Sequence, residues 1–313
     1  MAEHAMYFAD DRARKIYMTK KIISRVICYL FLTIFALFIL FPFLLMVVGS
    51  FINADKFASF IYEGNFKYLG FGGEESNWGI SNYAQIFTLT TTFNFPVYFT
   101  NTFIVAIGST IVTVVTAVLA GFAFARLEFK GKDVLFLVLL ATMMIPGEMM
   151  VMTNFKIVQK WRWENTFYAL ILVHGVSVFY VFYLRQTFQQ IPNELYLAAK
   201  VDGVSDLGYL LKVMVPIAMP TITTIIILSM MGAWNSYVWP NLVARDVMPG
   251  TKWSMKLVSN GLRDAFALTD TNSSGNEAIK IAGSMVVSIP LFILFICFRK
   301  YIMRGVSRSG IKG

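Results

Sequence analysis

Six stretches of this chain, residues 22–51, 99–125, 134–153, 167–188, 213–239 and 281–298, run almost without a charge. Each reaches about 18 residues or more, enough for a helix rising about 1.5 Å per residue to cross a hydrocarbon layer of roughly 30 Å. Backbone groups in lipid have no water to pair with, so such runs become helices that satisfy themselves. Only 14% of the 313 residues are charged, against roughly a quarter in soluble domains. The chain therefore reads as an all-α membrane protein with six transmembrane helices. The first run is far longer than the roughly 7–15 residue core of a cleaved signal peptide, and reads as a retained anchor.

The net charge of +9 first looks like a nucleic-acid signature, but its placement gives another meaning. An even number of spans leaves both termini on one side. With that side cytoplasmic, segments 1–21, 126–133, 185–212 and 299–313 hold 16 of the 27 Lys and Arg, and the longer outer segments 52–98, 154–165 and 240–278 hold 9. Acidic residues divide almost evenly, so the bias is the positive-inside one. Lys156, Lys160 and Arg162 run against it. The basic ends meet anionic lipid, and no nucleic-acid partner is expected. The chain divides into a cytoplasmic tail (1–21), the first helix with its extracellular segment (22–98), a five-helix core (99–302) and a second tail (303–313).

Within the spans a buried charge is costly, roughly 2.5–3.5 kcal/mol even on lenient scales. Glu148 is the exception, just after Pro146 and Gly147, where a helix kinks or breaks. It either faces a pore or reaches the outer interface. Ala117, Gly121 and Ala125 form a small-residue stripe for close helix packing. His174 lies in the fourth span, as hydrogen-bonded structure or as a proton relay. Cys28 and Cys297 fall in apolar runs and read as small hydrophobes without a disulfide. Two histidines, no H-E-x-x-H, no G-x-S-x-G and no Cys/His cluster argue against catalytic or metal sites. Without G-x-x-x-x-G-K-[ST], the chain has no phosphate cradle of that kind and no ATP or Mg site of its own.

The longest inner connection predicts a helix from Asn193 to Val201, after Pro192 and with Glu194 in its first turn. Gly203 then permits a turn, and a second short helix from about Ser205 to Lys212 leads into span five, bent by Pro216 and Pro220. At these residues the chain resembles a known family. Ala198-Ala199, Gly203 four residues on, and Val213-Met214-Val215-Pro216 are similar to the EAA loop of ABC-importer permeases, here 190–216. In that family the loop is a coupling helix that docks in a cleft of a separate ATPase subunit. The resemblance implies coupling roles for Glu194, Leu197, Ala198, Ala199, Asp202, Gly203 and Pro216. The chain departs from the pattern at Leu197, where the family usually carries Glu, and Glu194 lies a turn away.

Other stretches resemble the carbohydrate branch, specifically the maltose-type second permease: "WGISNYAQIF", Asn101 to Pro146, "WNSYVWP" at Trp234 to Pro240, and the C-terminal "KYIMRGVSRSGIKG". The likeness covers roughly 80–313 and excludes residues 1–21 and Tyr68 to Gly79. It implies the type I importer permease fold in a bacterial or archaeal cell membrane. It also implies a second homologous permease, two ATPase subunits that carry ATP and Mg, an extracellular solute-binding protein and a carbohydrate, most simply an oligosaccharide. Trp234, Asn235 and Tyr237 at the end of span five suit sugar rings, whose C–H faces are apolar and whose hydroxyls need partners, and equally suit an interfacial aromatic belt. With Glu148 they are the candidate substrate-pathway residues. Lys252 to Glu277 reads as a polar exposed loop, placed like the one related permeases extend toward their binding protein. A secondary transporter is the alternative, needing coupling carboxylates at the midplane, as is an importer of a non-sugar solute.

Overall fold

A computed structural model describes residues 11–53, 57, 79–88, 94–244, 254–267 and 275–307, and every regular element among them is helical. The stretch from Tyr68 to Trp78, Lys252 and the last six residues lie outside the described set. Helix α1 (Asp11–Phe51) is 41 residues long and contains Pro42. At about 1.5 Å per residue it extends about 60 Å, twice the hydrocarbon layer, so much of what the charge pattern assigns to a tail continues the helix. The most apolar window of α1 is not buried by the rest of the chain. Such a face is stable against lipid tails, which are as apolar as the side chains themselves.

Helix α2 (Ser81–Thr88) is pinned where α1 ends. A helix C-terminus leaves carbonyls without partners, and Asn82 Nδ2 donates to two carbonyls there, Ser50 O at 3.0 Å and Ile52 O at 2.7 Å. Helix α3 (Phe95–Arg126) is the central post. Its small-residue stripe faces helix α7 (Val178–Gln189). A Cβ on Gly121 would stand 3.0 Å from Leu184 Cβ and 3.3 Å from the Arg185 nitrogen, so any larger residue would push the two helices apart by a few tenths of an ångström.

Two of the expected spans are interrupted. The third is helix α4 (Lys132–Thr142) followed by helix α5 (Gly147–Lys160), bent by 97°. Pro146 has no N–H and disfavours helix in the residue before it, which accounts for the break. The fourth is helix α6 (Phe167–Ile171) followed by α7, where 167–188 was expected to be continuous. There the Ser177 hydroxyl accepts from Tyr180 N at 3.4 Å and caps α7, and Thr116 Oγ1 donates to the Gly175 carbonyl at 3.2 Å. Among the described residues, four single helices remain long and apolar enough to cross a membrane, and five if the bent pair is counted.

Helix α8 (Asn193–Val201) leads to helix α9 (Asp206–Trp234). α9 opens with one α-turn, widens into a π-helical stretch at Leu210–Met214 and continues regularly from Val215. Pro216 supplies no N–H to the carbonyl four residues back, and the wider winding ahead of it accommodates that loss. Helices α10 (Val238–Val243), α11 (Val258–Ala267) and α12 (Gly275–Ser307) complete the chain. The expected exposed loop at 252–277 is partly buried. Asn101 Nδ2 donates to Ser254 O at 2.6 Å and Lys256 O at 3.2 Å, and Thr102 Oγ1 accepts from Val258 N at 2.9 Å. Polar groups on α3 thus satisfy backbone that apolar walls would leave unpaired.

Candidate functional site

At one end of the bundle, α8 and the start of α9 form a knuckle. Pro192 sets the entry, Glu194 sits in the first turn and Lys200 in the last, each charge complementing the helix dipole. Gly203, at φ +71°, ends the helix in the left-handed conformation that favours glycine. Its N–H donates to Lys200 O at 3.1 Å and the Val204 N–H to Ala199 O at 2.9 Å, the paired bonds of a Schellman cap. Ser205 then caps α9 by accepting from Gly208 N at 3.2 Å.

The two faces of α8 differ. Inward, Ala199 and Tyr196 pack on the core cluster. Tyr196 OH donates to Asp206 Oδ1 at 2.8 Å and its ring lies 5.1 Å from that of Tyr209. Lys200 Nζ meets the same Asp206 oxygen at 2.7 Å, and this hydrogen bond holds the ammonium pKa above the ordinary lysine value. Burial first, and Asp206 second, push the Tyr196 phenol up. Outward, Glu194, Leu197, Ala198, Asp202 and Gly203 are exposed, and Val201 is 88% exposed. A Cβ on Gly203 would meet nothing within 4 Å. Pro216 lies further along α9, also exposed.

Arg126, the last residue of α3, ties the knuckle to the core. Its guanidinium donates to Phe188 O at 2.9 Å, to Ile191 O, and to Asn193 Oδ1 at 3.4 Å. Arg185 donates to Phe124 O at 3.2 Å and lies 4.1 Å over the Phe136 ring. Sequence reasoning counted both arginines only as inner charge. Their carbonyl partners are more than 60 positions away, and no local pattern marks them.

The pathway candidates separate. Glu148 is exposed in the first turn of α5, where a helix N-terminus favours a carboxylate. Trp234 is 2% exposed, so in this chain it is a packing anchor rather than an open pathway surface. Its Nε1 donates to Val287 O at 3.2 Å and its ring meets Phe99 and Phe103 edge-on at 5.7 and 5.0 Å. Asn235 is exposed and folds back as a C-cap, Nδ2 to Met231 O at 2.9 Å. Tyr237 is half-buried beneath the Arg263 guanidinium at 4.8 Å. Beside them the structure opens a cavity of about 290 Å³ between α3, the break at 172–177, α9 and α10. Ser109, Thr113, His174, Tyr180, Ser229 and Ser236 face it. The His174 ring lies 5.0 Å from that of Trp239 and makes no hydrogen bond among the described residues. Sequence reasoning missed the hydroxyls because each is an ordinary residue on a different helix.

Apolar helices long enough to cross a bilayer, packed around α3 with an exposed knuckle at one end, define a multi-pass membrane protein. The chain belongs to the family described as binding-protein-dependent transport system inner membrane component, which matches residues 114–308. It is 31% identical over 234 residues to the arabinooligosaccharides transport system permease protein AraQ of Halalkalibacterium halodurans, covering 75% of this chain and 80% of that one. It is 27% identical over 298 residues to the trehalose/maltose transport system permease protein MalG of Thermococcus litoralis, covering 95% of this chain and all of that one. The fold matches a chain in the crystal structure of a bacterial ABC transporter involved in the import of the acidic polysaccharide alginate, with a TM-score of 0.73 at 20% identity. That match covers 94% of this chain and 99% of the other.

Proposed function

We propose that the chain is one transmembrane half of an ATP-driven carbohydrate importer in the cell membrane of a bacterium or archaeon. Counting α4 with α5 and α6 with α7 as one crossing each gives six spans with both termini cytoplasmic, in keeping with the basic inner segments. A second homologous permease completes the pathway, an extracellular solute-binding protein delivers the sugar, and two separate ATPase subunits bind ATP and Mg. The relatives are named for arabinooligosaccharides and for trehalose and maltose, which supports an oligosaccharide cargo.

The observation that carries this reading is the knuckle's outward face. Leu197, Ala198, Val201 and Gly203 present an apolar, sterically open surface on a frame fixed by Arg126 and Asp206. Residues held that firmly transmit a push, and an apolar surface this exposed calls for a protein partner. Leu197, where the resembling family usually has Glu, makes the contact more apolar. Cysteine at Val201 should cross-link to the co-purified ATPase, and Gly203→Asp should abolish uptake while the chain still inserts. No cross-link together with undiminished uptake refutes the reading.

A further inference from the structure

We infer that the hydroxyl-lined cavity between α3, α7 and α9 is a contact site for a single uncharged sugar unit in transit, an inference that rests on the importer reading above. Along α3, Thr102, Thr110 and Thr116 each return their hydroxyl to the carbonyl four residues back, at 2.7 to 2.8 Å. Ser109 and Thr113, on the same helix, make no such bond among the described residues, nor does Ser229 on α9. A hydroxyl at membrane depth is costly to leave unpaired. Three of them converge with the unbonded ring of His174 on one space. The fourth span also breaks here. Non-helical backbone at membrane depth is tolerated where protein buries it or a polar cavity receives it.

Position and chemistry both fit a sugar ring. Ser109 lies roughly 25 Å along α3 from Arg126 at about 1.5 Å per residue, deep within the span. At about 290 Å³ the space is just under the roughly 300–1,000 Å³ of small-molecule sites, a size that suits one sugar ring. Tyr180 supplies aromatic surface for the apolar C–H face of a ring, with the buried Trp239 packed in the wall, and the hydroxyls supply donors and acceptors at its edge. No Asp, Glu, Lys or Arg lines the cavity. A uronate would enter with a charge and find no cation to pair with.

The test uses the whole complex, with partner permease, ATPases and binding protein, reconstituted in vesicles and offered maltotriose, arabinotriose or trigalacturonate. At least one neutral sugar should accumulate, and the uronate at least tenfold more slowly. Gly232, whose Cβ position is open to 4 Å, forms part of the wall. Gly232→Leu should cut neutral uptake at least tenfold with normal recovery of the complex. Ser109→Ala with Ser229→Ala, which adds no bulk, should cut it about three- to tenfold, the loss of one or two neutral hydrogen bonds. Uptake unchanged in the serine pair, or trigalacturonate moved as fast as the neutral sugars, overturns the inference and leaves the importer reading standing. An assembled complex that moves none of the three refutes the carbohydrate reading and the cavity site with it.

Discussion

Gly203 offers a way to separate a backbone requirement from a docking requirement. At φ +71° an L-residue pays a left-handed penalty of about 1–2 kcal/mol. Replacing glycine regains about 0.4–1 kcal/mol through the restricted unfolded chain, so Gly203→Ala should cost between about 0 and 1.6 kcal/mol, at most about a fifteenfold shift. Steric cost within the chain is absent, since nothing lies within 4 Å of the Cβ position. Asparagine accepts the left-handed region more readily than alanine and is larger. A purely conformational role therefore ranks uptake glycine, asparagine, alanine. A docking role, in which a partner's surface occupies the open space, ranks it glycine, alanine, asparagine. The second order is the expected one, with Gly203→Asn down more than tenfold. Uptake and binding-protein-stimulated ATP hydrolysis, measured on complexes of matched thermal stability, decide between them. Wild-type uptake in Gly203→Asn refutes the docking argument.

Three further outcomes follow from the same geometry. Arg126→Gln leaves the Ile191 and Phe188 carbonyls without their charged donor and should weaken the fold by about 2–3 kcal/mol, with less sugar moved per ATP hydrolysed; an unchanged ratio in vesicles counts against Arg126 as a strut. Asn101→Ala leaves the Ser254 and Lys256 carbonyls without its amide and should cost about 2–3 kcal/mol, read as a lower unfolding midpoint of the purified complex, whereas an unchanged midpoint argues that α11 is held by other contacts. Because the hydrogen bond to Asp206 raises the Lys200 pKa, the stabilisation linked to Lys200 is complete below the ordinary lysine value and is lost only as pH climbs through the raised one. The difference in unfolding midpoint between wild type and Lys200→Met should therefore stay flat from about pH 6 to 9, and a difference that fades across that window contradicts the pairing.

Much of the architecture was legible in the sequence because the bilayer is a strict solvent. Long uncharged runs have few alternatives to helix, and Pro146, Pro192 and Gly203 mark breaks, and Pro216 the wider winding ahead of it, through local rules about φ and missing N–H groups. The helix at Asn193–Val201 was expected with the bounds it has. Periodicity did not reveal the break at 172–177. Its residues are apolar enough for a span, and the bonds that stabilise the interruption come from Ser177 and from Thr116 on another helix.

Sequence alone thus determined the solvent, the helical class and the local turn that makes the knuckle, since each depends on hydrophobicity or on dihedral limits of single residues. Tertiary structure decided which side chains are working surface and which are core. Trp234, an apparent pathway aromatic, is buried between three helices, while Ser109, Thr113 and Ser229, unremarkable in the chain, share one cavity. Burial and convergence depend on how helices far apart in sequence cross one another, and no local pattern of residues encodes those crossings.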